Sequence, residues 1–253
     1  MSLKEIEIVH IWEFAVEFMQ IPIIVFIIFL SVKAIKVMKL TSLKWVYIAF
    51  IFNLIYLFIS IWSSEYTPYL HFGETKFSRD LLKISFDIIS SSLFYWAAIC
   101  YWINDDYTHY DKFNFVKRLR QKFAKNVLLT KAILLIILIL TSYSIVYFSI
   151  LINNDYKDIH FRGLFNFFAL IGMVLFFRQD KFIALGFFFW SLLQPWKFYP
   201  DWLTTWEFFV AFAFSFSMIA KGLILFGLFS KYCLLYTSPS PRDQRGSRMP
   251  SSA

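Results

Sequence analysis

Apolar residues in this chain come in long runs separated by short polar stretches, and there are seven such runs. A hydrocarbon core of about 30 Å needs about 20 apolar residues per helix, and a helix satisfies its own backbone polar groups there. The runs therefore predict transmembrane helices at 12–32, 45–62, 81–103, 126–152, 162–177, 182–199 and 207–230. The expected fold is all-α, a polytopic bundle of seven transmembrane helices filling residues 1–232. The fifth and sixth runs are short and divided only by Arg178-Gln179-Asp180-Lys181. They read as two helices or a tight helical hairpin, not as one span, because charge at mid-bilayer is costly.

The polar stretches alternate in basic content. Lys33, Lys36, Lys39 and Lys44 follow the first run, six cations lie in segment 107–125, Arg178 and Lys181 follow the fifth run, and Lys231 follows the seventh. That is 13 on one side, against Lys4, Lys76, Arg79, Lys157, Arg162 and Lys197 on the other. Cytoplasmic loops carry the excess of Lys and Arg, so the N-terminus is expected outside and the C-terminus in the cytoplasm. The expected location is a prokaryotic inner membrane, with no cleavable signal at the acidic N-terminus. In segment 107–125, Val116, Leu119 and Phe123 recur at helical spacing among Lys117, Arg118, Arg120 and Lys122. This fits an amphipathic helix lying on the anionic headgroups of the lipid bilayer, with partner docking as the alternative.

Composition agrees: 59% of residues are hydrophobic, 33 are Phe, and only 17% are charged. The net charge of +8 suits a nucleic-acid ligand only until its placement is seen, at the ends of apolar runs and not along a groove. Nucleic-acid binding is not expected. The two cysteines, Cys100 and Cys233, form no disulfide framework, and His10, His71, His109 and His160 are too scattered for a haem or metal set. No GxSxG elbow, HExxH helix or phosphate-gripping glycine loop occurs. No catalytic or metal-ligating residue is assigned, and the chain is read as a non-enzyme.

From Cys233 the character changes to CLLYTSPSPRDQRGSRMPSSA. This segment resembles a translated sequencing adapter: the transposon-end oligonucleotide reads Cys233 to Asp243 in order, and the flow-cell sequence reads Ser247 to Ala253 in the same frame. The resemblance implies that residues 233–253 are a non-native, disordered tail and that the natural sequence departs after Tyr232. Without its three arginines and one aspartate the net charge falls from +8 to +6.

Polar residues inside the runs carry the candidate chemistry. Lys221 lies 14 residues after Glu207 and 10 before Lys231, about 15 Å from the inner end of its helix. Its stem spans only about 6 Å, so the ammonium cannot snorkel to water. It has to be paired, neutral, in a wet cavity or covalently modified; a desolvated lysine is a nucleophilic amine suited to a Schiff base. Asp87 is a candidate partner, with Ser90, Ser91 and Ser92 following; Asp87 pairing with Lys83 near the outer surface is the alternative. Gln20, Asn53, Asn166 and Gln194 either line a solute path or bond between helices. Glu13 and Glu17 read as interfacial, with a cation entry site as the alternative, and Trp190, Trp196, Trp202 and Trp206 as an aromatic belt at the outer ends of the sixth and seventh runs.

The last run, Ala220-Lys221-Gly222-Leu223-Ile224-Leu225, resembles the surroundings of the retinal-binding lysine in microbial rhodopsins. The resemblance implies retinal as the cofactor, Lys221 as its Schiff-base amine, Asp87 as the balancing carboxylate, Ser91 at the hydroxyl position four residues on, and Trp190 and Pro195 along the chromophore. The chain departs from the family pattern where Ser217 replaces the second carboxylate one turn before the lysine and Ile84 stands where an arginine is usual.

Three classes of function are thus expected: a retinal or small-ligand receptor or pump built round Lys221, a small-solute transporter of three-plus-one-plus-three helices, or the membrane part of a longer signalling protein. The second rests on the shared orientation of runs 1–3 and 5–7. Deleting residues 233–253 is expected to leave expression and thermal stability of the purified protein unchanged; a clear loss of folded protein would show that the tail belongs to the fold.

Overall fold

The computed structural model describes residues 3–38, 42–63, 76–104, 127–152, 157–194 and 206–237, and side chains within 15–35, 42–61, 82–103, 127–147, 162–194 and 215–230. Segment 107–125, Pro195, and the tail beyond 237 lie outside the described residues. Among those residues the structure is all-helical. Seven helices follow in order: α1 (Leu3–Met38), α2 (Leu43–Ser63), α3 (Lys76–Asn104), α4 (Val127–Ile152), α5 (Lys157–Phe176), α6 (Lys181–Leu192) and α7 (Trp206–Thr237). The helical backbone of α7 runs five residues past Tyr232, so residues 233–237 are helical where the sequence reading expected a disordered tail.

Four stretches are long and apolar enough to cross a membrane: Ala15–Ile35, Leu43–Ile61, Leu82–Ile103 and Val127–Tyr147. They associate the chain with a membrane. Shorter apolar stretches occupy Arg162–Phe176, Lys181–Leu192 and Ser215–Ser230. The sixth run, expected over 182–199, forms a helix only to Leu192 and then turns, with the Gln194 amide bonded to the Ser191 carbonyl. A proline follows at 195 in the sequence; it lacks an amide hydrogen and pushes the preceding residue out of helical geometry. Twelve residues span only about 18 Å.

The helices close into a ring. α1 packs on α2 and α7, α2 on α3, α3 on α5, α5 on α6, and α6 on α7. α4 stands outside this ring, against α3 and α5. Only 6% of its Val127–Tyr147 stretch is buried, against 44% of Leu82–Ile103 in α3. Its face is correspondingly apolar and open, as at Leu128, Ile136, Ile139 and Leu140. Removing α4 leaves two sequential triplets, α1–α2–α3 and α5–α6–α7, meeting at two seams, α1·α7 and α3·α5.

Local packing explains the order. α5 and α6 form a hairpin through Phe177–Asp180, in which the Asp180 amide donates to the Phe177 carbonyl at 2.7 Å. α6 and α7 then approach closely because a glycine on each leaves room for the other helix, small residues being the usual means of bringing membrane helices together. A Cβ on Gly186 would stand 2.6 Å from the Ala220 carbonyl oxygen, and one on Gly227 would stand 2.5 Å from Ile183. Gly222, by contrast, faces open space. Gly186→Ala is therefore expected to destabilise the protein by about 1–3 kcal/mol, while Gly222→Ala is neutral or slightly stabilising; thermal unfolding in detergent compares the two, and equal midpoints would refute the close contact.

Candidate functional site

The buried polar residues are concentrated at the middle of the helices. Asn53 is the central residue of α2 and Ser90 that of α3. Gln20, Asn166 and Lys221 each belong to the central pair of α1, α5 and α7. All five are buried. Polar side chains at the middle of such helices are costly unless bonded within the protein, and the contacts of Gln20, Lys221 and Asn166 form two clusters.

The first cluster lies on the α1·α7 seam. Lys221, 3% exposed, donates from Nζ to Gln20 Oε1. Ser217, four residues earlier and so on the same helical face, donates to the same oxygen at 3.4 Å. The Lys221 ammonium also sits over the Trp190 ring, 4.8 Å from its centroid. A desolvated cation–π contact of this kind contributes about 2 kcal/mol. One turn before Gln20, Glu17 accepts a hydrogen bond from Ser60 of α2 at 2.9 Å. The sequence reading placed Glu17 at the interface; it is buried, with its carboxylate against Ser60 of α2.

The second cluster lies on the α3·α5 seam. Asn166 donates from Nδ2 to Asp87 Oδ2 at 2.9 Å and accepts from Ser91 Oγ at 2.7 Å. Arg162, one turn before Asn166, brings its Nε to 3.7 Å from the same Asp87 oxygen. Asp87 is thus paired with Arg162, not with Lys221, and Lys83 turns instead toward the Tyr56 ring, 5.9 Å from its centroid. The structure brings together Lys221, Ser217 and Trp190 of the sequence-derived site. Asp87 and Ser91 form a different network on the other seam, and Pro195 is outside the described residues. Arg162, counted from sequence as a loop cation, belongs to the bundle; its spacing of four from Asn166, matching that of Asp87 and Ser91, was the signal available.

Between the clusters lies an aromatic core. Trp190 is 6.2 Å from both Phe50 and Phe187, and 5.8 Å from Phe94, between ring centroids. The sequence placed Trp190 in an outer aromatic belt. It is buried here, packed against Phe50, Phe94 and Phe187.

Three buried amide atoms around this core have no partner: Gln20 Nε2, Asn53 Oδ1 and Gln194 Oε1. Hydrogen bonds set the orientation of two of them. Gln20 spends its oxygen on Lys221 and Ser217, so its nitrogen faces away as a donor. Gln194 donates to the Trp190 carbonyl at 3.4 Å, which leaves its oxygen as an acceptor. Asn53 stands one turn from Phe50 on α2. A buried polar atom without a partner costs about 1–3 kcal/mol, and such groups in a native protein call for a water or a ligand.

The three consecutive serines of α3 show how the helix serves as a hub. Ser90 bonds the Ala49 carbonyl of α2 at 3.0 Å, Ser91 bonds Asn166 of α5, and Ser92 meets Ser142 of α4 at 2.7 Å. Ser92 also bonds its own helix at Ile88. Ser91→Ala, which leaves Asn166 Oδ1 without that donor, is expected to cost roughly 1 kcal/mol, and Ser142→Ala a few tenths. Trp190→Ala is expected to cost about 3–5 kcal/mol. Thermal unfolding of the three variants checks the ranking, which a costlier Ser142→Ala would reverse.

Comparison of the chain with protein-family models, curated proteins and solved structures finds no match among any of the three.

Proposed function

We propose that this protein is a small-solute transporter of three-plus-one-plus-three helices, all seven crossing the membrane with the N-terminus outside. The observation that carries this reading is the belt of polar residues at the helix centres, with three amide atoms round one aromatic core left unbonded. Solute sites of secondary transporters lie near the bilayer midplane, where repeats meet. The ring supports the same reading: α4 lies outside it, as a linker between two triplets of like orientation does.

The free atoms define the solute. It offers an acceptor to Gln20 Nε2 and donors to Asn53 Oδ1 and Gln194 Oε1, and it is small and uncharged, since the free groups are neutral amides. Trp190 and Phe50 supply apolar faces beside them. Lys221 acts by holding the Gln20 amide in one orientation. Nothing in this site needs bond-making chemistry, so the function is binding and passage.

A second reading is favoured by the burial of the Lys221 amine beside Trp190. A retinal aldehyde would condense with that amine, losing one water to form the Schiff base. It ranks second because Asp87, the balancing carboxylate that the resemblance implies, is already held by Asn166 and Arg162.

A thermal-shift screen over small uncharged solutes, followed by uptake of radiolabelled hits into proteoliposomes, tests the first reading. The shift from a genuine solute is expected to vanish in Gln20→Leu, Asn53→Leu and Gln194→Leu; a transported hit indifferent to all three would refute the assignment. All-trans-retinal is expected to give no visible absorption band, whereas a band lost in Lys221→Ala would establish the second reading. Reporter fusions at Ser2 and after Tyr232 are expected in opposite compartments, and a shared compartment would mean an even number of spans.

A further inference from the structure

The two seams are closed by the same construction. Across α1·α7, the central amide of α1, Gln20, binds two side chains four residues apart on α7, Ser217 and Lys221. Across α3·α5, the central amide of α5, Asn166, binds two side chains four residues apart on α3, Asp87 and Ser91. Exchanging α1 with α5 and α7 with α3 converts one seam into the other. In both, the first helix of one triplet clasps the third helix of the other triplet. The residues differ, so no motif repeats along the sequence; the repeated feature is a geometry.

We propose that the two triplets are related by a twofold axis along the membrane normal, and that Gln20 and Asn166 are equivalent clasps whose release lets the triplets part. This rests on the three-plus-one-plus-three arrangement and goes beyond the transport reading. Polar bonds are suited to such seams because one partner is exchanged for another, such as a solute or water, without leaving a bare polar group in hydrocarbon.

The clasps differ in one respect that makes them testable. Gln20 uses only its oxygen, accepting from both partners. Asn166 uses both ends, accepting from Ser91 and donating to Asp87. Replacing each amide by a carboxylate therefore has opposite consequences. Gln20→Glu gives the Lys221 ammonium a charged acceptor, an attraction that outweighs the repulsion from Glu17, which lies one turn earlier with its carboxylate bonded to Ser60, and it tightens its seam. Asn166→Asp removes the donor and sets two carboxylates face to face, a repulsion that Arg162 offsets only in part.

The experiment uses the full chain in nanodiscs, with Cys100→Ala and Cys233→Ser as background and no solute. Spin labels on the exposed positions Phe18 and Ile219 report on α1·α7, and labels on Leu82 and Leu164 report on α3·α5. Asn166→Asp is expected to lengthen the 82–164 distance, leave 18–219 unchanged, and lower the melting temperature by about 3–10 °C. Gln20→Glu is expected to keep or narrow the 18–219 distribution without a fall in melting temperature. Gln20→Leu and Asn166→Leu, which add no charge, each lengthen their own seam alone. Melting shifts of the same sign for the two carboxylate variants, or a leucine variant that moves both seams or neither, would overturn the proposal. Uptake plays no part in this test, so its failure leaves the transport reading standing, and a failed solute screen leaves the clasps standing.

Discussion

A lysine at the centre of an apolar helix cannot reach water, and everything nearest the middle of this bundle is arranged around that fact. The Lys221 ammonium takes Gln20 from α1 and the face of Trp190 from α6. Three helices are thereby fixed at one level. The close approach of α6 to α7 at Gly186 and Gly227 brings the tryptophan within range of the lysine.

The opposite seam solves the same problem with opposite charge. Asp87 is stabilised by an amide and a guanidinium, and Ser91 completes the amide's bonding. Both seams thus depend on a side-chain amide: Gln20 accepts from both of its partners, and Asn166 both accepts and donates. At Gln20 the oxygen serves α7 and the nitrogen is left unbonded.

The position of α4 follows from its composition. It is almost uniformly apolar, and its hydroxyls at Thr141, Ser142 and Ser144 bond back to carbonyls of its own helix. Ser142 also meets Ser92 of α3. Such a helix gains as much from lipid as from protein, so it lies outside and leaves α3 and α5 free to meet.

The sequence by itself determined the all-helical class, the seven apolar segments and the presence of a buried lysine, because these depend on local hydrophobicity and on the reach of one side chain. It also exposed Asp87, Ser91, Gln20, Asn53, Asn166 and Gln194 as polar groups inside apolar runs. Only the tertiary structure decided how they pair. Depth along a helix can be counted from the sequence, but the direction in which a side chain faces depends on which helices are neighbours. That order was set by the exclusion of α4, by the early turn of α6 and by two glycines, so Asp87 met Arg162 and Asn166 while Lys221 met Gln20. The likeness of the two seams stayed hidden in the sequence for the same reason: hydrogen-bond geometry can repeat in three dimensions where the residues that make it do not.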